Sequence, residues 1–160
     1  MIEKQPKTSV VVRAVRVNPD TGEVEHLLNK RLREPYFGKV GHITGKVRFG
    51  EKIEEAAARE LMEETGLKAG RVEIEGIYRK MRHREDGSFV QDVFFYCSFV
   101  KDLSGEMIKR TEYQENFWLS ETEYKRRYDI DLYDDFEWHN DVECRSFGFI
   151  ENVDQAEDAF

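Results

Sequence analysis

The chain is short of several things, and each shortage excludes a class of protein. No apolar run among its 160 residues approaches the length of a membrane span. The opening MIEKQPKTSV holds no apolar core of a secretory signal, so no export is expected. Basic residues are outnumbered, 25 against 33 acidic, for a net charge of -8 and a pI of about 5.1. A nucleic-acid or anionic-membrane partner wants a basic face, so neither is expected. A small phosphorylated ligand stays open, because a bound divalent cation inverts local charge. The two cysteines, Cys97 and Cys144, form no CxxC pair. They read as reduced, buried thiols in a reducing compartment, with the cytoplasm as the expected location. The histidines His26, His42, His83 and His139 show no HExxH-like spacing. The acidic run DIDLYDD lacks the glycine at the sixth position and the acid at the fifth that a calcium loop needs. There is no internal repeat, flexible linker or low-complexity tract, so one domain over residues 1–160 is expected.

What is present reads as an α/β chain. Thr8–Val17 and Val24–Asn29 are valine-rich strand runs around the turn residues Asn18–Gly22. Residues 34–41 form a loop, and His42–Thr44 a short strand. Ile53–Thr65 is made of strong helix formers, with Gly66 as its C-cap. Val72–Arg84 and Phe89–Val100 flank Asp86-Gly87, a hairpin signal. Asn116–Leu119 is a last strand, and Ser120 with Glu123 makes a capping box for a helix to about Arg127. The order strand, helix, strand, helix fits a mixed sheet covered by helices, with a core over about residues 8–127. Residues 128–160 are acidic with scattered aromatics and receive no assigned element.

The stretch Gly45–Leu67, GKVRFGEKIEEAAARELMEETGL, carries the chemistry. At about 100° per residue, Glu60 and Glu64 flank the direction of Ile53, Ala57 and Leu61, with Glu63 one step round. These carboxylates therefore overlap the apolar stripe, while Glu54 and Glu55 point away. Like charges four apart repel, and carboxylates beside a core lose hydration unless something pairs with them. Arg59 reaches Glu63 at i+4, but one arginine cannot neutralise three carboxylates. A solvated charged face is the plain alternative. A hard divalent cation such as Mg²⁺ takes oxygen ligands and meets the need.

Gly45, Glu51, Arg59-Glu60, Leu61, Glu63-Glu64 and Gly66-Leu67 also fill every fixed position of G-x5-E-x7-R-E-U-x-E-E-x-G-U, with U apolar. In this the chain resembles the Nudix hydrolases. The resemblance implies an α/β/α sandwich with a central mixed sheet. It implies hydrolysis of the diphosphate bond in a nucleoside diphosphate linked to another moiety, by water attack on phosphorus, with Mg²⁺ or Mn²⁺. Glu60, Glu63 and Glu64 then correspond to metal ligands, Glu51 to a further ligand or supporting carboxylate, and Arg59 to the residue that orients them. Thr44 stands where many relatives place a glycine whose carbonyl meets metal. A carboxylate ahead of a late tryptophan strand is implied too: Glu112 first, Glu115 next, before Trp118. Glu64 or Glu112 is the general base. The LLNKR run, Leu27 to Arg31, is similar to a segment many relatives place before the box, which makes Arg31 a candidate to reach phosphate, with an exposed strand-end charge as the plain alternative. Tyr36, Phe37, Phe89, Tyr96 and Trp138 are candidates to stack a base. The cluster Arg79, Lys80, Arg82, His83 and Arg84 is a local basic patch that would hold substrate phosphate if it lies near the site, with a solvated hairpin end as the plainer reading. Relatives acting on ADP-ribose often carry a proline beyond the box, whereas this chain has none after Pro35. A silent nucleotide or ADP-ribose sensor and a diphosphate-dependent isomerase are the alternatives. The isomerase wants an extra cysteine, and Cys97 in DVFFYCSFV reads as a core thiol. A homodimer is left open by the resemblance.

Overall fold

The computed structural model describes residues 3–127, 129–133 and 148–156. Trp138, His139 and Cys144 lie outside these residues. The described elements are β1 (Lys7–Val17), β2 (Val24–Arg31), β3 (Lys39–Gly41), β4 (Ile43–Lys46), α1 (Ile53–Thr65), β5 (Arg71–His83), β6 (Phe89–Lys101), β7 (Gln114–Ser120), α2 (Glu121–Arg126), β8 (Asp131–Leu132) and β9 (Gly148–Gln155). No described helix is long and apolar enough to cross a membrane.

The strands form one curled, mixed sheet in the order β8-β3-β2-β1-β6-β5-β9, with β4 also on β1 and β7 also on β2. Strand β1 makes the curl. Its first half, Ser9–Val12, pairs antiparallel with β4 on one side and parallel with β6 on the other. Its end, Val15–Val17, pairs with β2 instead. One strand therefore belongs to two sheet halves, and the cleft between them is where the site forms. Asn18 closes the β1–β2 turn, its side-chain oxygen accepting the amides of Asp20 (2.8 Å) and Thr21 (3.2 Å). At the β5–β6 turn, Asp86 accepts the Ser88 amide at 2.9 Å while Gly87 takes a φ of 82°. Three elements lie where no strand was assigned from sequence: β3 takes the end of the stretch read as a loop over residues 34–41, where it pairs antiparallel with β2, and β8 and β9 fall beyond residue 127. β8 is two residues long, and β9 runs parallel to β5 from Gly76↔Gly148 to His83↔Gln155. Their pairing is non-local, and neither segment shows the alternation that marks a half-buried strand.

Helix α1 fits against the sheet by its small residues. Ala56, Ala57 and Leu61 are fully buried against Val10, Val12, Ala14, Leu27, Ile43 and Val100. The alanines let the helix approach closely, and burial of Leu61 contributes about 1.5–3 kcal/mol. Gly66 ends the helix with a φ of 74°, its amide bonding the Met62 carbonyl at 2.9 Å. Ser120 and Glu123 form the expected capping box of α2.

Candidate active site

The loop before α1 and the helix itself are tied together by one guanidinium. Arg59 donates from Nε and Nη2 to the two oxygens of Glu51 (2.6 and 3.0 Å), and from Nη1 to Glu60 (2.8 Å) and Glu63 (3.2 Å). Its Nη2 also reaches the Lys46 carbonyl at 2.9 Å. Glu51 accepts the Arg48 amide at 2.9 Å, closing the loop on itself. The Arg59 hydrogen bonds, then the Arg48 amide, hold the Glu51 carboxyl down to about 2. Pairing with Glu51 and Glu60 pushes the Arg59 guanidinium above its usual value. Glu54 and Glu55 are exposed, as their direction on the helix requires.

Gly45 is needed for contact rather than for backbone freedom. A Cβ there would fall on the Glu60 carboxylate, well inside van der Waals contact. The Glu60 carboxylate lies flat on β4, 12% exposed. Glu63 is nearly half exposed and also meets Arg48 at 3.4 Å.

Glu64 stands apart from the Arg59 cluster. It faces the cleft, where Asn29 Nδ2 donates to its carboxylate at 3.4 Å. Burial, and then the neighbouring Glu60 charge, raise its carboxyl to about 7, against the pull of Gln114, Arg33 and Asn29. Its backbone carbonyl accepts from Gln114 Nε2 (3.1 Å) and from the buried Asn116 Nδ2 (2.9 Å). Asn116 also holds the Ile108 carbonyl at 2.8 Å and accepts from Gln114 at 2.9 Å. Gln114 and Asn116 alternate on β7, so both face α1, and Glu115 between them faces the other way. Glu115 meets Arg110 at 3.7 Å instead. This removes it from the carboxylate cluster, because neighbouring residues of a strand point to opposite faces. Glu112 is exposed in the turn before β7 and does not line the cleft.

The cleft has a volume of about 400 Å³. Among the described residues its lining includes five Lys or Arg side chains and a single carboxylate, Glu64, in a chain of net charge -8. Arg31 and Arg33 come from the end of β2 and the turn after it, Lys39 from β3, and Lys80 and Arg82 from β5. Thr44, just before Gly45, also lines it, as do Tyr36, Phe95, Tyr113 and Tyr133. Tyr36 and Tyr133 meet edge to face at 5.8 Å, and Arg82 donates to the Tyr36 hydroxyl at 3.3 Å. Lys39 pairs with Asp131 at 2.8 Å. Of the two readings of the β5 basic cluster, the solvated hairpin end does not hold for Lys80 and Arg82, which line the cleft. Alternation sends Lys80 and Arg82 into the cleft, while Arg79 on the opposite face pairs with Asp92 at 2.9 Å. Of the other stacking candidates, Phe37 and Phe89 are exposed and do not line the cleft, and Tyr96 packs on the core below α1.

Sequence reasoning missed Arg33, Gln114 and Asn116. Gln114 and Asn116 share strand parity ahead of Trp118, a signal available in the sequence. Arg33 lies in a loop whose path the sequence does not fix.

The curled mixed sheet, the glutamate helix and the cleft at its C-terminal end define a Nudix-type domain. The NUDIX domain family model matches residues 7–138, and the chain belongs to that family. Solved structures agree in fold. The chain is similar to a mutator MutT protein from Bacillus halodurans, with a TM-score of 0.71 and 20% identity over 92% of this chain and 90% of that one. It is similar to a MutT NUDIX hydrolase from Burkholderia pseudomallei, with a TM-score of 0.66 and 23% identity over 89% and 100% of the two chains. The NUDIX domain of Shewanella oneidensis NrtR, complexed with ADP ribose, matches with a TM-score of 0.67 and 16% identity over 85% and 84%.

Proposed function

We propose that this chain hydrolyses the diphosphate bond of a nucleoside diphosphate linked to another moiety. Family membership supports phosphoanhydride hydrolysis as the class of reaction. The observation that carries the reading is the cleft, rich in cations and aromatic rings, with Glu64 as its one carboxylate among the described residues. Polyanionic phosphate suits the cations, and a base suits the rings.

The donor set fits a hard divalent cation. Glu51, Glu60, Glu63 and Glu64 offer oxygen ligands, and Glu64 is a half-buried carboxyl that lacks a full counter-charge. Among the described residues no three acidic, histidine or cysteine side chains are grouped as a ready site. The reason is visible: Glu51, Glu60 and Glu63 are turned onto Arg59. Glu60, Glu63 and Glu64 would hold Mg²⁺ or Mn²⁺, with Glu51 and the Thr44 carbonyl in support. Such an ion, when bound, offsets charge on the diphosphate oxygens and makes a bound water more acidic.

The chain's own groups do the rest. Arg59 keeps Glu60 and Glu51 in register across the loop–helix junction. Asn29, Gln114 and Asn116 hold Glu64 at the cleft. Glu64 takes the proton of the attacking water, a role favoured over Glu112 because Glu64 lines the cleft and Glu112 does not.

The test is Glu64→Gln against a panel of nucleotides, dinucleotides and nucleotide sugars with Mg²⁺. Phosphate or pyrophosphate release by the wild type and a loss of at least about 100-fold in the variant are expected. Equal turnover would overturn the role of Glu64. Tight ligand binding without any release would point to a sensor instead.

A further inference from the structure

Arg31 and Arg33 stand two residues apart at the mouth of the cleft, yet they are held in different ways. The Arg31 guanidinium is folded back, its Nε donating to the backbone carbonyls of Arg33 and Pro35. The same turn is closed by the Gly38 amide on the Arg31 carbonyl (2.8 Å) and the Lys39 amide on the Tyr36 carbonyl (3.1 Å). The Leu32 amide bonds the Tyr113 carbonyl at 2.8 Å, fixing the turn to the loop before β7. Arg33 then lies over the Tyr113 ring, 4.5 Å from its centroid. Among the described residues no carboxylate lies within ion-pair distance of either arginine, although the Arg33 charge acts on Glu64 across the cleft.

We propose that Arg33, held on the Tyr113 ring, is the cation that grips the substrate's phosphate, and that Arg31 is the positioning residue that presents it. The assignment deepens the diphosphate reading of the cleft and rests on it. Stacking on a ring fixes the guanidinium plane and leaves its edge N–H groups for a planar, two-point contact with phosphate oxygens. A surface arginine without such a platform spreads over many rotamers, and ordering it costs binding energy. Arg31 is less suited to the task, because its Nε is already committed to two carbonyls of the turn.

The probe is inorganic pyrophosphate, titrated calorimetrically into the intact protein with Mg²⁺ present, alongside kcat and KM for any nucleotide the wild type hydrolyses. Arg33→Gln is expected to weaken pyrophosphate binding about tenfold or more, with Arg33→Lys recovering part of it. Tyr113→Phe, which keeps the ring, should bind as the wild type does, and Tyr113→Leu severalfold more weakly. Arg31→Gln should weaken binding in the wild type and change nothing further in the Arg33→Gln background, since it acts through Arg33. Wild-type affinity in Arg33→Gln overturns the proposal, as does an equal effect of Arg31→Gln in both backgrounds. The two readings fail separately. If Arg33→Gln loses pyrophosphate while no nucleotide is hydrolysed, the proposed reaction falls and the phosphate contact stands. If Arg33→Gln hydrolyses nucleotide with unchanged KM, the contact falls and the reaction stands.

Discussion

Replacing Arg59 by Met tests the electrostatics of the glutamate helix directly. Methionine keeps much of the length and helix propensity of the side chain and removes its charge. Five donor contacts disappear: two to Glu51, one each to Glu60 and Glu63, and one to the Lys46 carbonyl. An exposed ion pair is worth at most about 1 kcal/mol, and breaking a buried one costs about 3–5 kcal/mol. The Arg59–Glu60 pair lies between these limits, at 17% and 12% exposure. A loss of about 2 kcal/mol is therefore expected in chelator, which lowers Tm by about 4–8 °C in a chain of this size. Mg²⁺ should restore part of it. At ten times its dissociation constant, a ligand of the native state adds about 1.4 kcal/mol, or about 3–6 °C. The rise should be larger in the variant, where no guanidinium competes for Glu60 and Glu63. Melting curves of both proteins in chelator and in excess Mg²⁺ measure all four numbers. If Arg59→Met melts within about 2 °C of the wild type in chelator, the carboxylates need no counter-charge and the reasoning is wrong. An equal rise of both proteins with Mg²⁺ would refute it as well.

Gly45→Ala separates contact from backbone. Gly45 has no positive φ, so the new methyl group should displace only the flexible end of Glu60, leaving stability within about 1 kcal/mol but cutting kcat/KM by about 100-fold. Unchanged turnover would show that Glu60 need not lie against β4. Asn116→Asp keeps the shape and removes the donors to the Glu64 and Ile108 carbonyls, so a loss of about 3 kcal/mol is expected in chemical unfolding. A loss below about 0.5 kcal/mol would mean that those carbonyls find other partners. His26 is buried beside Arg13, His42, Tyr124 and Glu121, and burial followed by the Arg13 charge lowers its pKa from 6.5 to about 4. The unfolded chain therefore binds the extra proton first. The stability contributed by neutral His26 is fully present above pH 6.5 and is lost as pH falls towards 4, about 3 kcal/mol in all. Urea unfolding of His26→Leu should lack that part of the pH slope, and an identical slope would show that His26 does not cause it.

Much of the frame was legible in the sequence because its signals are local. Helix propensity and Gly66 bounded α1 at the residues where it occurs, and Asp86-Gly87 marked the β5–β6 hairpin. The three-and-four spacing put Ala57 and Leu61 in the core and left Glu54 and Glu55 in solvent. The i+4 contact from Arg59 to Glu63 was legible for the same reason. The strands β8 and β9 were not, since each exists only through a partner far away in the chain.

The site divides in the same way. Residues of one helix and the loop before it are related by fixed angles, so the sequence alone placed Glu60, Glu63 and Glu64 on neighbouring positions of α1 and put Arg59 within reach of Glu63. It also determined family membership, because the motif is contiguous. Only the tertiary structure decided which side of that cluster opens on a cleft, and what faces it. The curl of β1 brings the β2 turn, β5 and β7 to the end of α1, placing Arg33, Lys80, Arg82 and Gln114 around Glu64. Strand parity turned Glu115 away and Asn116 inward. Those placements depend on pairings between residues tens of positions apart, which no local spacing encodes.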